Sequence, residues 1–132
     1  MINARLADEY DIKDIFGWRN DKNTRLQSHN SKEICWEDHE KWYKNSLKNK
    51  NIYMLLCEES VDKSKIGIVR FNIYEDFSVI SINLSPQMKG MGLGFSCLKN
   101  SISRFKNDYE YIKYLLAEIK IDNIPSIKTF EK

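Results

Sequence analysis

Nothing in this 132-residue chain is long and apolar enough to span a membrane, and its opening MINARLADEYD has no apolar run of signal-peptide length. A soluble, cytoplasmic protein with no membrane partner is therefore expected. None of the three cysteines, Cys35, Cys57 and Cys97, stands in a CxxC pair, which excludes the usual zinc spacing and a disulfide framework, so no metal is expected. Charge of one sign is also missing. The 21 basic and 19 acidic residues are mixed along the chain and leave a net +2, so no basic field argues for nucleic-acid binding. Internal repeats, low-complexity tracts and linkers are absent, and 42% hydrophobic residues supply one compact core. Residues 1–132 read as a single domain.

Glycine is scarce as well, with five in the whole chain, yet Gly90, Gly92 and Gly94 fall together. They lie in SINLSPQMKGMGLGFSCLKNSISRF, Ser81 to Phe105, where a strand runs through Ser85 and Pro86 into a turn and then, from about Leu93, into an amphipathic helix. A turn at a helix N-terminus leaves backbone N–H groups without intrahelical partners, directed into the positive end of the helix dipole. Such a place binds phosphate. Glycines remove the Cβ atoms that would hold an anion off the backbone and permit positive φ.

The remaining elements follow from periodicity. Ile2 to Leu6 reads as a first strand. Asp8 offers an N-cap before a helix through Asn20, with Ile12, Ile15 and Phe16 at helical spacing. Trp18 to Cys35 is polar and weakly periodic, with a short helix near Asn23 to Ser28. Trp36 to Lys48 is helical, with His39, Trp42, Tyr43 and Leu47 on its packed side. Ile52 to Glu58, Ile66 to Tyr74 and Phe77 to Leu84 are strands of an antiparallel meander, the last two joined by a hairpin at Glu75-Asp76. The helix after the turn buries Leu98, Ile102 and Phe105. Ile112 to Ile121 is a strand parallel to the one ending at Leu84, because a strand–helix–strand crossover joins them. Asp122 or Asn123 starts a last helix with Pro125 in its first turn. The fold class is α/β (α+β): a mixed, mostly antiparallel sheet flanked by helices.

Three phosphate-loop patterns are candidates for the turn. MKGMGLGFS lacks the Lys-Ser/Thr pair of a Walker A loop, and a dinucleotide fingerprint would need glycine where Phe95 stands. The third pattern, Gln87-Met88-Lys89-Gly90-Met91-Gly92, resembles the Q/R-x-x-G-x-G/A motif of the GNAT superfamily of acetyl-CoA-dependent N-acetyltransferases. The element order is similar to the GNAT fold, and the tail from Asn123 through Ser126 to Phe130-Glu131-Lys132 resembles the family's N-x-x-S…F-E-K segment. The resemblance thus covers nearly the whole chain.

What it implies is specific. Asn83, Leu84, Ser85, Gln87, Met88, Lys89, Gly90, Met91, Gly92, Leu93, Gly94, Asn123 and Ser126 would hold acetyl-CoA, the cosubstrate, with pantetheine in a slot between the Asn83-Leu84-Ser85 strand and the strand around Leu115 to Glu118. Trp18-Arg19-Asn20-Asp21, His29-Asn30, Ile34 to His39 and Trp42, together with Ile82 to Pro86 before the turn, look like nucleotide-sugar amine N-acetyltransferases of pseudaminic- and legionaminic-acid-type pathways, which acetylate an amino group on a nucleotide-linked deoxy sugar for surface glycans. Ribosomal-protein N-terminal acetyltransferases share much of that pattern, so a protein N-terminus is the alternative small acceptor amine. A non-catalytic CoA-binding or assembly module is a third reading.

For the general base, Glu118 is the first candidate because it breaks an apolar strand beside the slot, and His29 is the second. The bland alternatives are a solvent-facing strand carboxylate and a surface histidine. His39, on an apolar helix side, reads as a packed residue. Trp18, Arg19, His29 and Trp36 are the substrate-binding candidates, since aromatic faces accept sugars or bases and Arg pairs with phosphate; core packing competes for the tryptophans. Phe130 stands where many of these enzymes place a proton-donating tyrosine, so either another group such as Tyr111, Tyr114 or Ser126 serves, or the thiolate leaves to solvent, or activity is weak. The chain stops at Phe130-Glu131-Lys132, where the family continues into two more strands. The expectation is a GNAT domain lacking its last two strands, with an exposed C-terminal sheet edge through which a homodimer would form.

Overall fold

The computed structural model describes residues 1–21, 33–88 and 92–117. Five strands form one sheet in the order β1 (Ile2–Leu6), β2 (Ile52–Glu59), β3 (Lys65–Ile73), β4 (Phe77–Leu84) and β5 (Tyr114–Ala117). The first three pairings are antiparallel and β4 pairs with β5 in parallel, as the crossover requires. Near-continuous burial along β2, from Tyr53 to Glu58, follows from its central place with helices on both faces.

Two apolar clusters lie on opposite faces. On one, α3 (Leu93–Asp108) sets Cys97, Leu98 and Phe105 against Tyr53, Leu55, Cys57, Val69, Phe71 and Ile80. Phe71 and Phe105 stack with centroids 4.2 Å apart, and Tyr53 and Tyr109 extend the aromatic group. Tyr53 also donates to the Asp108 carboxylate, and Arg104 Nη1 donates to the Ala4 carbonyl at 2.8 Å, tying the helix to β1. On the other face, α1 (Ile12–Asn20) and α2 (Trp36–Lys48) place Ile15, Trp18 and Tyr43 on Met54, Leu56 and Ile68.

Asp8 caps a single 3-10 turn, Glu9–Asp11, through a capping box with Asp11, and α1 continues from it. Asp11 is fully buried and anchors an ionic cluster: Arg5 grips it with two hydrogen bonds of 2.9 and 3.0 Å, and Lys65 reaches it at 2.8 Å and Asp14 at 2.7 Å. Burial alone would raise the Asp11 pKa, but the bonds from Arg5 and Lys65 bring it down to about 2.

The bounds of β1, α2 and β4 coincide with those expected. One position on α2 differs. The buried stripe runs His39, Tyr43, Ser46, while Leu47, expected on the packed side, is 37% exposed because it lies just past the edge of that stripe. The expected short helix near Asn23 to Ser28 and the last helix from Asp122 lie outside the described residues, as does the strand expected to Ile121 beyond Ala117.

Candidate functional site

β4 leads directly into the glycine turn. After Leu84 the buried Ser85 donates its N–H to the Ile66 carbonyl at 2.7 Å, which ends the strand against β3, and Pro86–Met88 form one 3-10 turn. Packing is tightest here at Gly67, where a Cβ would lie 2.9 Å from the Asn83 carbonyl oxygen and from Leu84 Cδ2. Gly92 then adopts φ +73°, a left-handed conformation that suits glycine, and serves as N-cap of α3. It brings no side-chain cap. The 16-residue helix therefore begins with backbone donors that no capping side chain satisfies, at the positive end of its dipole. Gly94 is buried in the first turn, and Met88 and Leu93 pack on the α3-face core, which fixes both flanks of the turn.

Beside the turn, β4 extends beyond its partner. The described ladder with β5 runs from Phe77–Tyr114 to Ile80–Ala117, and Ser81 to Leu84 continue past it. Asn83 and Leu84 are partly buried and Gln87 is exposed.

On the α1/α2 face Ile68 pairs with Asn83 next to the turn, and Arg70 pairs with Ser81 one step farther from it. Arg19 lies over the Trp42 ring, its Cζ 4.0 Å from the centroid, and Arg70 of β3 lies 5.6 Å from the same centroid. Arg19 Nη1 is 3.0 Å from His39 Nδ1, and His39 Nε2 is 2.8 Å from the Ile12 carbonyl. Because arginine can only donate and a carbonyl only accept, His39 is assigned as the neutral Nε2–H tautomer. Burial and the neighbouring Arg19 charge both depress its pKa, consistent with that form. The Arg19 pKa falls to about 10, first through burial and then through repulsion by Arg70. Trp36 meets Phe16 edge to face at 5.2 Å.

The residues expected at the site thus divide. Asn83, Leu84, Ser85, Gln87, Met88, Gly92, Leu93 and Gly94 are brought together on the strand, turn and helix start. Lys89, Gly90, Met91, Glu118, Asn123, Ser126 and His29 lie outside the described residues, and so does Phe130. Trp18, weighed between shelf and core, is 8% exposed and packs in the α1/α2-face core. Arg19 and Trp36 are half-buried. His39 is packed, as expected, and also holds Arg19 in place. Tyr114 sits opposite Phe77, and both it and Tyr111 are 59% exposed at the end of the β4–β5 ladder away from the turn. The expectation missed Arg70. Its signal was a charge interrupting the apolar run Ile66 to Tyr74, the same signal that singled out Glu118.

Among the described residues, no group of three or more His, Cys, Asp or Glu side chains is placed to hold a metal, and no helix is long and apolar enough to cross a membrane.

Comparison with known proteins bears on this arrangement. No curated protein matches the chain. A domain from Methanocaldococcus jannaschii superposes with a TM-score of 0.83 at 25% identity, covering 99% of this chain and 85% of that one. The spermidine N-acetyltransferase of Vibrio cholerae, solved with CoA and spermine, gives 0.84 at 15% identity over 98% of this chain and 78% of its own. An aminoglycoside acetyltransferase solved with coenzyme A and kanamycin gives 0.83 at 16% identity, with 99% and 81% covered. The acetyltransferase (GNAT) domain family matches residues 2–132, so a strand, a left-handed glycine and an uncapped helix start stand where nearly the whole chain fits that family: the protein belongs to the GNAT acetyltransferases.

Proposed function

We propose that this chain transfers the acetyl group of acetyl-CoA to the amino group of a nucleotide-linked amino-deoxy sugar. The observation that carries the donor half is the Gly92-started α3 following β4, whose first-turn donors and absent Cβ suit the pyrophosphate of CoA. The backbone of Ser81 to Leu84, running past the described β5 pairs, suits the pantetheine amides. Acetyl-CoA supplies the activated thioester. The chain's part is to hold the reacting groups together, to keep the amine neutral and to orient backbone donors toward developing charge.

Glu118 is the proposed base, acting on the substrate ammonium through water, with His29 as the other candidate. Its assignment rests on sequence position. Glu118 is a carboxylate that interrupts the apolar run Ile112 to Ile121, expected beside the pantetheine slot. Asn123, Ser126 and Lys89 are proposed CoA contacts on the family pattern.

The acceptor half draws on charge. Kanamycin and spermine, bound by two of the similar enzymes, are polycations at neutral pH. Here the face beside β4 carries Arg19 and Arg70 on an indole, which suits an anionic and aromatic acceptor better than a polycation. Exposed Tyr114 and Leu116 on β5 support a further proposal, homodimerisation through that edge, which light scattering tests.

Acetylated product is measured by mass spectrometry with acetyl-CoA and, in turn, a UDP-linked 4-amino-4,6-dideoxyhexose, spermidine, kanamycin and an N-terminal peptide. Acetylation of the sugar nucleotide at the highest kcat/KM is expected. Preference for the peptide supports the ribosomal-protein type of acceptor, and CoA binding without product on any amine supports a non-catalytic module.

A further inference from the structure

We propose that Gly67 of β3 is a positioning residue for the pantetheine arm of CoA: its missing Cβ lets β3 approach the end of β4 and fixes where the Leu84 backbone meets that arm. The proposal rests on the donor half of the reading above, in which Ser81 to Leu84 bond the pantetheine amides, and it names the residue on the neighbouring strand that sets their place.

A glycine inside a strand marks a bulge or a close backbone approach, and here both occur. Cys57 of β2 pairs with Gly67 but Glu58 pairs with Lys65, so Ile66 is the extra residue of a bulge in β3. On its other side Gly67 pairs with Leu84, the last residue of β4. One step farther along that register, the Ser85 N–H donates to the Ile66 carbonyl at 2.7 Å. Bonded and non-bonded pairs alternate along an antiparallel ladder, so Gly67 and Leu84 form a non-bonded pair, the kind in which the two Cα atoms come closest. A Cβ built on Gly67 lies 2.9 Å from the Asn83 carbonyl oxygen, 2.9 Å from Leu84 Cδ2 and 3.1 Å from Leu84 Cα. A leucine methyl can turn aside. The carbonyl oxygen and the Cα belong to the backbone, so an alanine at this position would push the end of β4 away from β3.

That end is where a small displacement matters. In a non-bonded pair the N–H and C=O of Leu84 point away from β3, toward the side on which β5 pairs with β4. The described β5 ladder stops at Ile80–Ala117, so among the described residues no strand takes these groups up, and they are presented to a ligand lying along β4. A hydrogen bond tolerates only a few tenths of an ångström before it weakens, which makes the amide contacts sensitive to Gly67. The start of α3 is held separately, by Met88 and Leu93 in the α3-face core, so the pyrophosphate turn should not follow the shift.

The test is isothermal titration calorimetry with two ligands, CoA and adenosine 3′-phosphate 5′-diphosphate, which keeps the pyrophosphate and lacks pantetheine. In Gly67→Ala, CoA affinity is expected to fall about tenfold while the truncated nucleotide binds within about twofold of wild type. Equal loss for both ligands, or no loss for either, overturns the proposal, because a residue that only supports the fold does not discriminate between them. Circular dichroism checks folding. Should Gly67→Ala fail that check, Gly67→Ala/Leu84→Ala, which frees the leucine methyl and keeps the Asn83 contact, is compared with Leu84→Ala for the same selective loss. The wild type separates this proposal from the donor reading. CoA bound no tighter than the truncated nucleotide removes the pantetheine contact and the proposal with it. CoA bound tighter by the same factor in wild type and Gly67→Ala leaves the donor reading standing and removes the role of Gly67 alone.

Discussion

Where α3 covers the sheet, Tyr53, Phe71, Phe105 and Tyr109 pack ring on ring and Leu55, Val69 and Cys97 close the gaps. Where α1 and α2 cover it, the apolar patch around Trp18 and Tyr43 is bordered by polar and charged groups, with Arg5, Asp11 and Lys65 on one side and Arg19, the neutral His39 and Arg70 on the other. The first face is sealed by surface burial, which is non-directional and tolerant of partners. The second is held partly by directed bonds, and groups kept polar at a cost in folding are the ones able to meet a polar substrate. The same sheet thus packs one face with apolar rings and carries on the other the charged groups proposed to meet the acceptor.

The comparison breaks first in the α3 face. Phe105→Ala removes a ring stacked on Phe71 and should cost about 4 kcal/mol in urea unfolding, with CoA binding lost only in step with folding. On the other face, Asp11→Asn leaves Arg5 and Lys65 facing a neutral amide and should cost about 3 kcal/mol. The wild-type carboxylate carries its own signature. Since its folded pKa lies at about 2, below the ordinary 3.8, its contribution is fully present above pH 4 and fades as the pH falls toward 2. Acid unfolding of Asp11→Asn should lack that part of the slope.

Two smaller effects sharpen the division. Gly92→Ala meets no side chain, so its cost is the left-handed backbone alone, about 1 kcal/mol, while CoA affinity should drop several-fold as the helix start shifts. Tyr114→Phe should leave kcat unchanged within error, because the residue sits opposite Phe77, away from the turn. A large loss there would move the chemistry to the wrong end of β4.

Much of the frame was readable from period and punctuation. Alternation set Ile2–Leu6 and Phe77–Leu84, helical spacing set Trp36–Lys48, and the clustered glycines marked the turn before α3. What escaped depends on register between distant segments. Asp11 finds Lys65 and Arg5 through the turn that starts α1, and Arg70 meets Arg19 because β3 runs beneath α1 and α2. A lone charge in a strand tells that something faces it, while only the packed sheet tells what. Trp18 shows the converse, a residue whose type suits a sugar shelf but whose place on α1 turns it into the core.

The most direct test of the account is the ratio of kcat/KM for acetyl transfer to a UDP-linked 4-amino-4,6-dideoxyhexose and to spermidine, measured with the same protein and saturating acetyl-CoA. A donor site at the α3 start and a guanidinium-lined acceptor face predict a ratio of about 100 or more in favour of the sugar nucleotide. Equal rates, or a preference for spermidine, would contradict it.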